Sequence, residues 1–410
     1  MFFVAAACGT GQGSPPAVKT GADILLRERL DLLKGKRVGV ITNQTGRCAS
    51  GEHLVDALVR KGVNVVRLFG PEHGIRGAAA PGEQISDTVD VGSGIPVVSL
   101  YGIISKPTRT MLRDVDVLVY DIQDVGARFY TYVSTMVLCM EAAAEASIPF
   151  VVLDRPNPLG GTLVDGPVLA DSLRSFVGII PIPVVYGLTC GELARYVNGE
   201  GLLKGGIRAD LIVVAAQGWT RTMSWNETGL QWIPPSPNIP DPETAIVYPA
   251  ICFLEATNLS EGRGTSKPFK TLGAPFIDPV QFASDLNALT IPGVGFDTVS
   301  FTPTASKHQG KLCRGVAISV VDRDRFRPVR TALCILREIL RSYPDDLEID
   351  RRWFVKLMGS AQVYGHLRSS VSVDSLTATW KAETAEFESK REKYLLYAPT
   401  PASSTKRLKF

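Results

Sequence analysis

The sequence holds no CxxC pair and no HxxxH pair, and its four histidines, at 53, 73, 308 and 366, are scattered. A zinc knuckle, a redox dithiol and a paired-histidine metal site all lack their usual ligands, and no metal is expected. Neither a Walker loop nor a GxSxG elbow occurs, so phosphoryl transfer and serine hydrolysis lose their customary sequence support. The GxGxG-like string from Gly9 to Gly13 precedes the first strand pattern and opens no helix, which argues against a bound dinucleotide or other nucleotide cofactor. No run approaches the ~18 apolar residues of a membrane-spanning helix. Charge of one sign is also scarce: 44 Lys and Arg against 41 Asp and Glu leave a net charge of +3, spread without long basic runs except near the end. Nucleic acid is not an expected partner.

What is present fits a globular protein of more than one core. A chain of 410 residues, 45% hydrophobic and 21% charged, is long enough for two units. Apolar residues 2–7 run into Cys8, followed by a Gly-, Ser- and Pro-bearing stretch that reads as a linker. Small residues before such a cysteine look like the end of a lipoprotein signal, although the positive n-region is absent. Residues 1–20 are therefore expected to be a leader and linker, and the protein to be exported to the periplasm or cell envelope, anchored to the membrane through a lipid on Cys8. Cys139 and Cys334 fall in apolar helical patterns, where a buried thiol is the default.

From residue 22 a rhythm begins. An amphipathic helix is predicted over 22–33, then apolar strand candidates at 38–41, 63–69, 96–100, 115–120 and 150–153 recur about every thirty residues, the length of a βα unit. Helical patterns over 51–61 and 135–146 lie between them. The alternation predicts an α/β fold with a parallel sheet covered on both faces, continuing through 182–185, a helix over 189–198 and a strand at 211–214.

Polar residues follow every one of these strands, and in open α/β sheets ligands sit beyond the strands' carboxyl ends. The second strand is followed by Glu72, His73 and Arg76, and the third by Tyr101. The fourth runs into Asp121, Gln123, Asp124, Arg128, Tyr130 and Tyr132, and the fifth into Asp154, Arg155 and Asn157. Any single loop is explained by turn chemistry or by ion pairs capping the sheet; five together favour a binding site at one edge.

Residues 219–248 read as loop, with Trp225, Trp232 and five prolines within 234–242, a density that excludes a regular helix or central strand. An indole there either stacks on a sugar or fills a hinge. The domain junction is placed here, giving an N-terminal domain over 21–242 and a C-terminal domain over 243–398. The second opens with Glu255, Asn258, Glu261, Arg263 and Lys267 crowded into thirteen residues. Further on, 315–321 reads as a strand, 328–342 and 374–394 as helices, and 399–410 as a flexible tail.

The strings FGPEHGIRG (69–77), YDIQDVGARFYTY (120–132), LDRPNPLGG (153–161), PPSPNIP (234–240), EATNLSEGRGTSKPF (255–269) and REKYLLY (391–397) resemble the NamZ (YbbC-like) exo-β-N-acetylmuramidase family. The resemblance implies a Rossmann-like N-terminal domain without nucleotide, a smaller α/β C-terminal domain, and an active-site cleft between them. It also implies release of N-acetylmuramic acid (MurNAc) from the non-reducing end of peptidoglycan-derived saccharides of the MurNAc–GlcNAc type.

Such cleavage needs a protonated carboxyl group at the leaving oxygen and a second group opposite. Glu72 is the expected general acid, with His73 and Arg76 in the same pocket. Asp121, Asp124, Asp154 and Glu261 are candidates for the second role, with assistance from the substrate's acetamido group, oriented by Asp124, as a third possibility. Asp165 stands where relatives carry Glu, which counts against it as acid or base. The lactyl carboxylate calls for a cation among Arg128, Arg155, Arg263 and Lys267, while Tyr101, Tyr130, Tyr132 and Asn258 would contact the sugar. The rival reading is a non-catalytic envelope protein that captures muropeptides, which would bind without turnover.

Overall fold

The computed structural model describes residues 18–72, 74–77 and 88–398, so the expectations for Cys8, His73 and the tail over 399–410 lie outside it. The first half is built on seven strands, β1 (Val38–Thr42), β2 (Val65–Gly70), β3 (Thr88–Val89), β4 (Pro96–Ser99), β5 (Val117–Asp121), β6 (Phe150–Leu153) and β7 (Leu211–Val214). They lie in the order β3-β4-β2-β1-β5-β6-β7, parallel except for the β3–β4 pair. Without the short antiparallel edge, this is the doubly wound order, whose direction reverses between β1 and β5.

The sheet is buried on both faces, and the alternation along β5 shows how. Val117 and Val119 enter a core shared with Val40, Leu54 and Leu58, whereas Leu118 and Tyr120 point into the larger core on the opposite face. That larger core crosses into the second half, taking in Phe253, Leu333 and Phe354. One continuous apolar body thus joins the halves and fixes the loops between them.

Residues 182–185 do not form the expected strand. Pro181 and Pro183 remove two amide donors, and Val185 makes only isolated bridges, to Ala127 and Asp165. The Pro-rich segment ends sooner than its composition implies: Asp241 caps the helix Pro242–Ile251, with Pro242 in its first turn, where its missing N–H costs nothing.

The second half contains a three-stranded antiparallel sheet, order β8-β10-β9, from β8 (Thr271–Ala274), β9 (Val294–Phe301) and β10 (Cys313–Val320). The helix expected over 374–394 is two, Val373–Ala378 and Lys381–Arg391. The closing segment returns to the first half, where the Tyr397 hydroxyl donates to Asp154 (2.6 Å) and the Leu396 amide to Glu192 (2.9 Å).

Candidate active site

Loops from the carboxyl edge of the parallel sheet meet the second half around a hollow of about 200 Å³. The first half supplies Glu72 after β2, Tyr101 after β4, and Phe129, Tyr130, Thr131 and Tyr132 after β5. Ser236 and Asn238 of the Pro-rich segment join them, and the second half adds Tyr248, Glu255, Arg263, Phe269 and Trp353.

A tight turn after β5 makes this placement possible. Gly126 adopts φ +81°, and a Cβ there would lie 2.4 Å from the Asn157 side chain, so only glycine fits. The Asp124 carboxylate closes the turn by accepting from the Gly126 amide at 2.7 Å. Beyond it the chain reaches the helix Tyr132–Ala146, presenting 129–132 to the hollow.

The half-buried Glu72 accepts a hydrogen bond from Thr131 Oγ1 at 3.0 Å and is also bonded by Tyr101. Burial, then the charge of Glu72, pushes the Tyr101 hydroxyl up to about 12, keeping it a neutral donor at neutral pH. Burial raises Tyr130 and Tyr132 as well. Tyr130 and Tyr132 pack edge to face at 4.8 Å, and the Tyr132 hydroxyl donates to the Pro235 carbonyl at 2.6 Å. Across the hollow, Glu255 pairs with Arg263, whose guanidinium lies 5.0 Å above the Phe269 ring. Two carboxylates, one from each half, therefore face a hollow floored by tyrosines.

A larger hollow of about 500 Å³ lies elsewhere, around Arg221 and Arg323, and includes neither Glu72 nor Glu255.

Comparison with known proteins decides the family. The family description "Exo-beta-N-acetylmuramidase NamZ, N-terminal" matches residues 38–243, and its C-terminal counterpart matches 246–397. The chain belongs to the NamZ exo-β-N-acetylmuramidase family. It is 47% identical over 384 residues to the peptidoglycan β-N-acetylmuramidase NamZ of Bacillus subtilis (strain 168), covering 93% of this chain and 92% of that protein. Among solved structures it is similar to a DUF1343 family protein of Bacteroides fragilis NCTC 9343, with TM-score 0.87 and 39% identity. A second such protein from that strain gives TM-score 0.76 and 33% identity, and each match covers 93% of this chain and 99% of the other.

Within this NamZ-family chain, Glu72, Tyr101, Tyr130, Tyr132 and Arg263 do converge on one hollow. Several expected partners do not. Asp121 is fully buried and locked to Arg155 by bonds of 2.6 and 2.9 Å, so neither is free for a sugar. Arg76 is held by Asp56 and Asp90. Arg128 spends its guanidinium on the carbonyls of Pro167, Ile182 and Leu357, as a strut between the halves. Asp154 accepts from Thr189, Gly191 and Tyr397, and Asn157 bridges the Leu188 carbonyl and the Leu159 amide.

Asp124 is buried outside the hollow's lining, bonded to the Tyr186 hydroxyl, and burial pushes its carboxyl up to about 6. Glu261 stands behind Arg263 rather than in the hollow. Asn258 ties down Asp346 and Glu348, and the exposed Lys267 does not line the hollow. Asp165 accepts the Val329 amide at 2.8 Å, anchoring the start of the helix Pro328–Ser342.

Sequence reasoning missed Glu255, Ser236, Asn238 and Trp353. Trp225 and Trp232 pack edge to face on each other, leaving Trp353 as the indole at the hollow. Glu255 opens the longest family motif and the crowded run over 255–267, and those were the signals available for it.

Proposed function

We propose that the hollow between the two halves is the active site, with Glu72 as general acid and Glu255 as the second carboxylate. The reaction is that of the family, exo-acting β-N-acetylmuramidase cleavage of MurNAc-containing peptidoglycan fragments. The observation that carries this reading is the pair of carboxylates facing one pocket from opposite halves.

Glu72 delivers its proton to the leaving glycosidic oxygen as the C–O bond breaks, the Glu255 carboxylate meets the positive charge that develops at the anomeric carbon, and water adds there, one of its protons returning to the carboxylate pair. The hydroxyls of Tyr101, Tyr130 and Ser236 and the amide of Asn238 surround the sugar. Arg263 is the cation among the described lining residues. Its Nε and one terminal nitrogen serve Glu261 and Glu255, which leaves its other terminal nitrogen for the lactyl carboxylate.

The test is turnover of a chromogenic MurNAc glycoside by Glu72→Gln and Glu255→Gln. Each is expected to lose about 10²- to 10⁴-fold in rate with unchanged circular dichroism. Wild-type turnover by either variant removes that residue from the chemistry.

A further inference from the structure

Behind Glu255 runs a line of alternating charge. Arg263 bonds Glu255 and, through Nε, Glu261 at 3.0 Å; the other oxygen of Glu261 meets Lys307 Nζ at 3.0 Å. Glu261 is only 2% exposed, so Lys307 is its counterpart at the end farther from the hollow. The Lys307 ammonium also donates to the carbonyls of Leu254 (2.7 Å) and Leu259 (2.9 Å), which uses all three of its protons. Leu254 belongs to the same short 3-10 turn, Cys252–Ala256, that carries Glu255. The one ammonium therefore grips Glu255 twice, through the ion line and through its own backbone turn.

The backbone around Lys307 is held at a cost. Ser306 and His308, on either side of it, both have positive φ, 67° and 57°. Non-glycine residues persist there only when their surroundings over-determine them. The surroundings are the Glu255-bearing segment itself: His308 Nε2 bonds the Asn258 carbonyl at 2.6 Å, and the Thr304 amide and hydroxyl both donate to the Gly264 carbonyl. An ion line with a buried carboxylate at its centre is a poor device for stability alone, because taking that charge out of water offsets the attraction of its partners.

We propose that Lys307 is a positioning residue for the glycosidase reaction, setting the Glu255 carboxylate against the sugar through Glu261, Arg263 and the Leu254 carbonyl. The inference rests on the reading of Glu255 as the second carboxylate. Lys307 touches no substrate and lies outside the hollow's lining. Without Lys307, Arg263 keeps its pair with Glu255 and its place at the lactyl group, so the main effect is a displaced reacting oxygen, which lowers kcat far more than it raises KM.

The experiment is steady-state kinetics on a chromogenic MurNAc glycoside for Lys307→Met, Lys307→Arg, Glu261→Gln, Glu255→Gln and the double variant Lys307→Met/Glu255→Gln. Lys307→Met is expected to lower kcat about tenfold or more with KM within about twofold, and Lys307→Arg to restore part of it. In the Glu255→Gln background, Lys307→Met is expected to add nothing, since both act through one group. Should Lys307→Met fail to fold, the near-isosteric Glu261→Gln breaks the same line and is expected to give the same kcat loss. Effects that multiply in the double variant, or a loss confined to KM, overturn the positioning role. Wild-type turnover by Glu255→Gln alone sinks the reading beneath it, and that result is independent of Lys307.

Discussion

The Thr131 hydroxyl donates to Glu72 across 3.0 Å, joining the loop after β2 to the segment that leaves β5. The bond holds the proposed acid in place over the tyrosine floor. Thr131→Val keeps the shape and deletes the donor. Glu72 is protonated when it acts, and a neutral hydrogen bond contributes about 0.5–1.5 kcal/mol, so kcat/KM for a MurNAc glycoside should fall by about 2- to 10-fold. The thermal midpoint should stay near wild type, and a fall in both together would make the bond a matter of folding.

Arg263 is the residue proposed to read the lactyl carboxylate. Arg263→Lys keeps a charge but loses the planar fork that serves two carboxylates and a substrate at once. The ratio of kcat/KM for MurNAc over GlcNAc glycosides is expected to drop. An unchanged ratio would mean that something else reads the lactyl group.

Three buried carboxyl groups with no cationic partner among the described residues contribute a pH dependence of one sign to the stability. Burial pushes Asp124, Asp154 and Asp165 up to about 6, above the range near 4 expected in the unfolded chain. Stability from such a group is complete below its unfolded pKa and is lost as pH rises through its folded one. Denaturant melts should therefore show this contribution declining from about pH 4 to pH 6 and flat above. Asp124 is the cleanest case, since one of its oxygens has no hydrogen-bond partner among the described residues. Asp124→Asn should abolish its share, on the order of 2–3 kcal/mol, and gain on wild type above pH 6.

Arg128 is a strut and not a sugar ligand. Arg128→Met strands the carbonyls of Pro167, Ile182 and Leu357 inside the protein. A loss of about 3–5 kcal/mol in denaturant melts is expected, with KM unchanged in whatever enzyme stays folded. A raised KM at full stability would return Arg128 to the site.

Legibility of the sequence divides along a physical line. Uninterrupted apolar runs such as 117–120 and 150–153 declare buried parallel strands, and the polar residues just beyond them fall on the edge where the hollow lies. Which of those residues face the hollow is set by long-range pairing that no local pattern encodes. Asp121 and Arg155, 34 positions apart, satisfy each other, and Arg76 finds Asp56 and Asp90. Glu261 read as a catalytic candidate because it is crowded by charge, yet that crowding is the line that ends at Lys307, 46 residues away. The small antiparallel sheet was half hidden: β8 is four residues long with a glycine at Gly273, and β9 alternates weakly and reaches β10 only through the long connection 302–312.

On this mechanism one sugar sits between Glu72 and Glu255. The most direct measurement is a crystal structure of the Glu72→Gln variant soaked with a MurNAc–GlcNAc disaccharide. The amide introduced at position 72 is expected within about 3 Å of the glycosidic oxygen, with a Glu255 oxygen near the anomeric carbon on the other side. A disaccharide seated instead in the hollow around Arg221 and Arg323, with position 72 and Glu255 both out of reach, would contradict it.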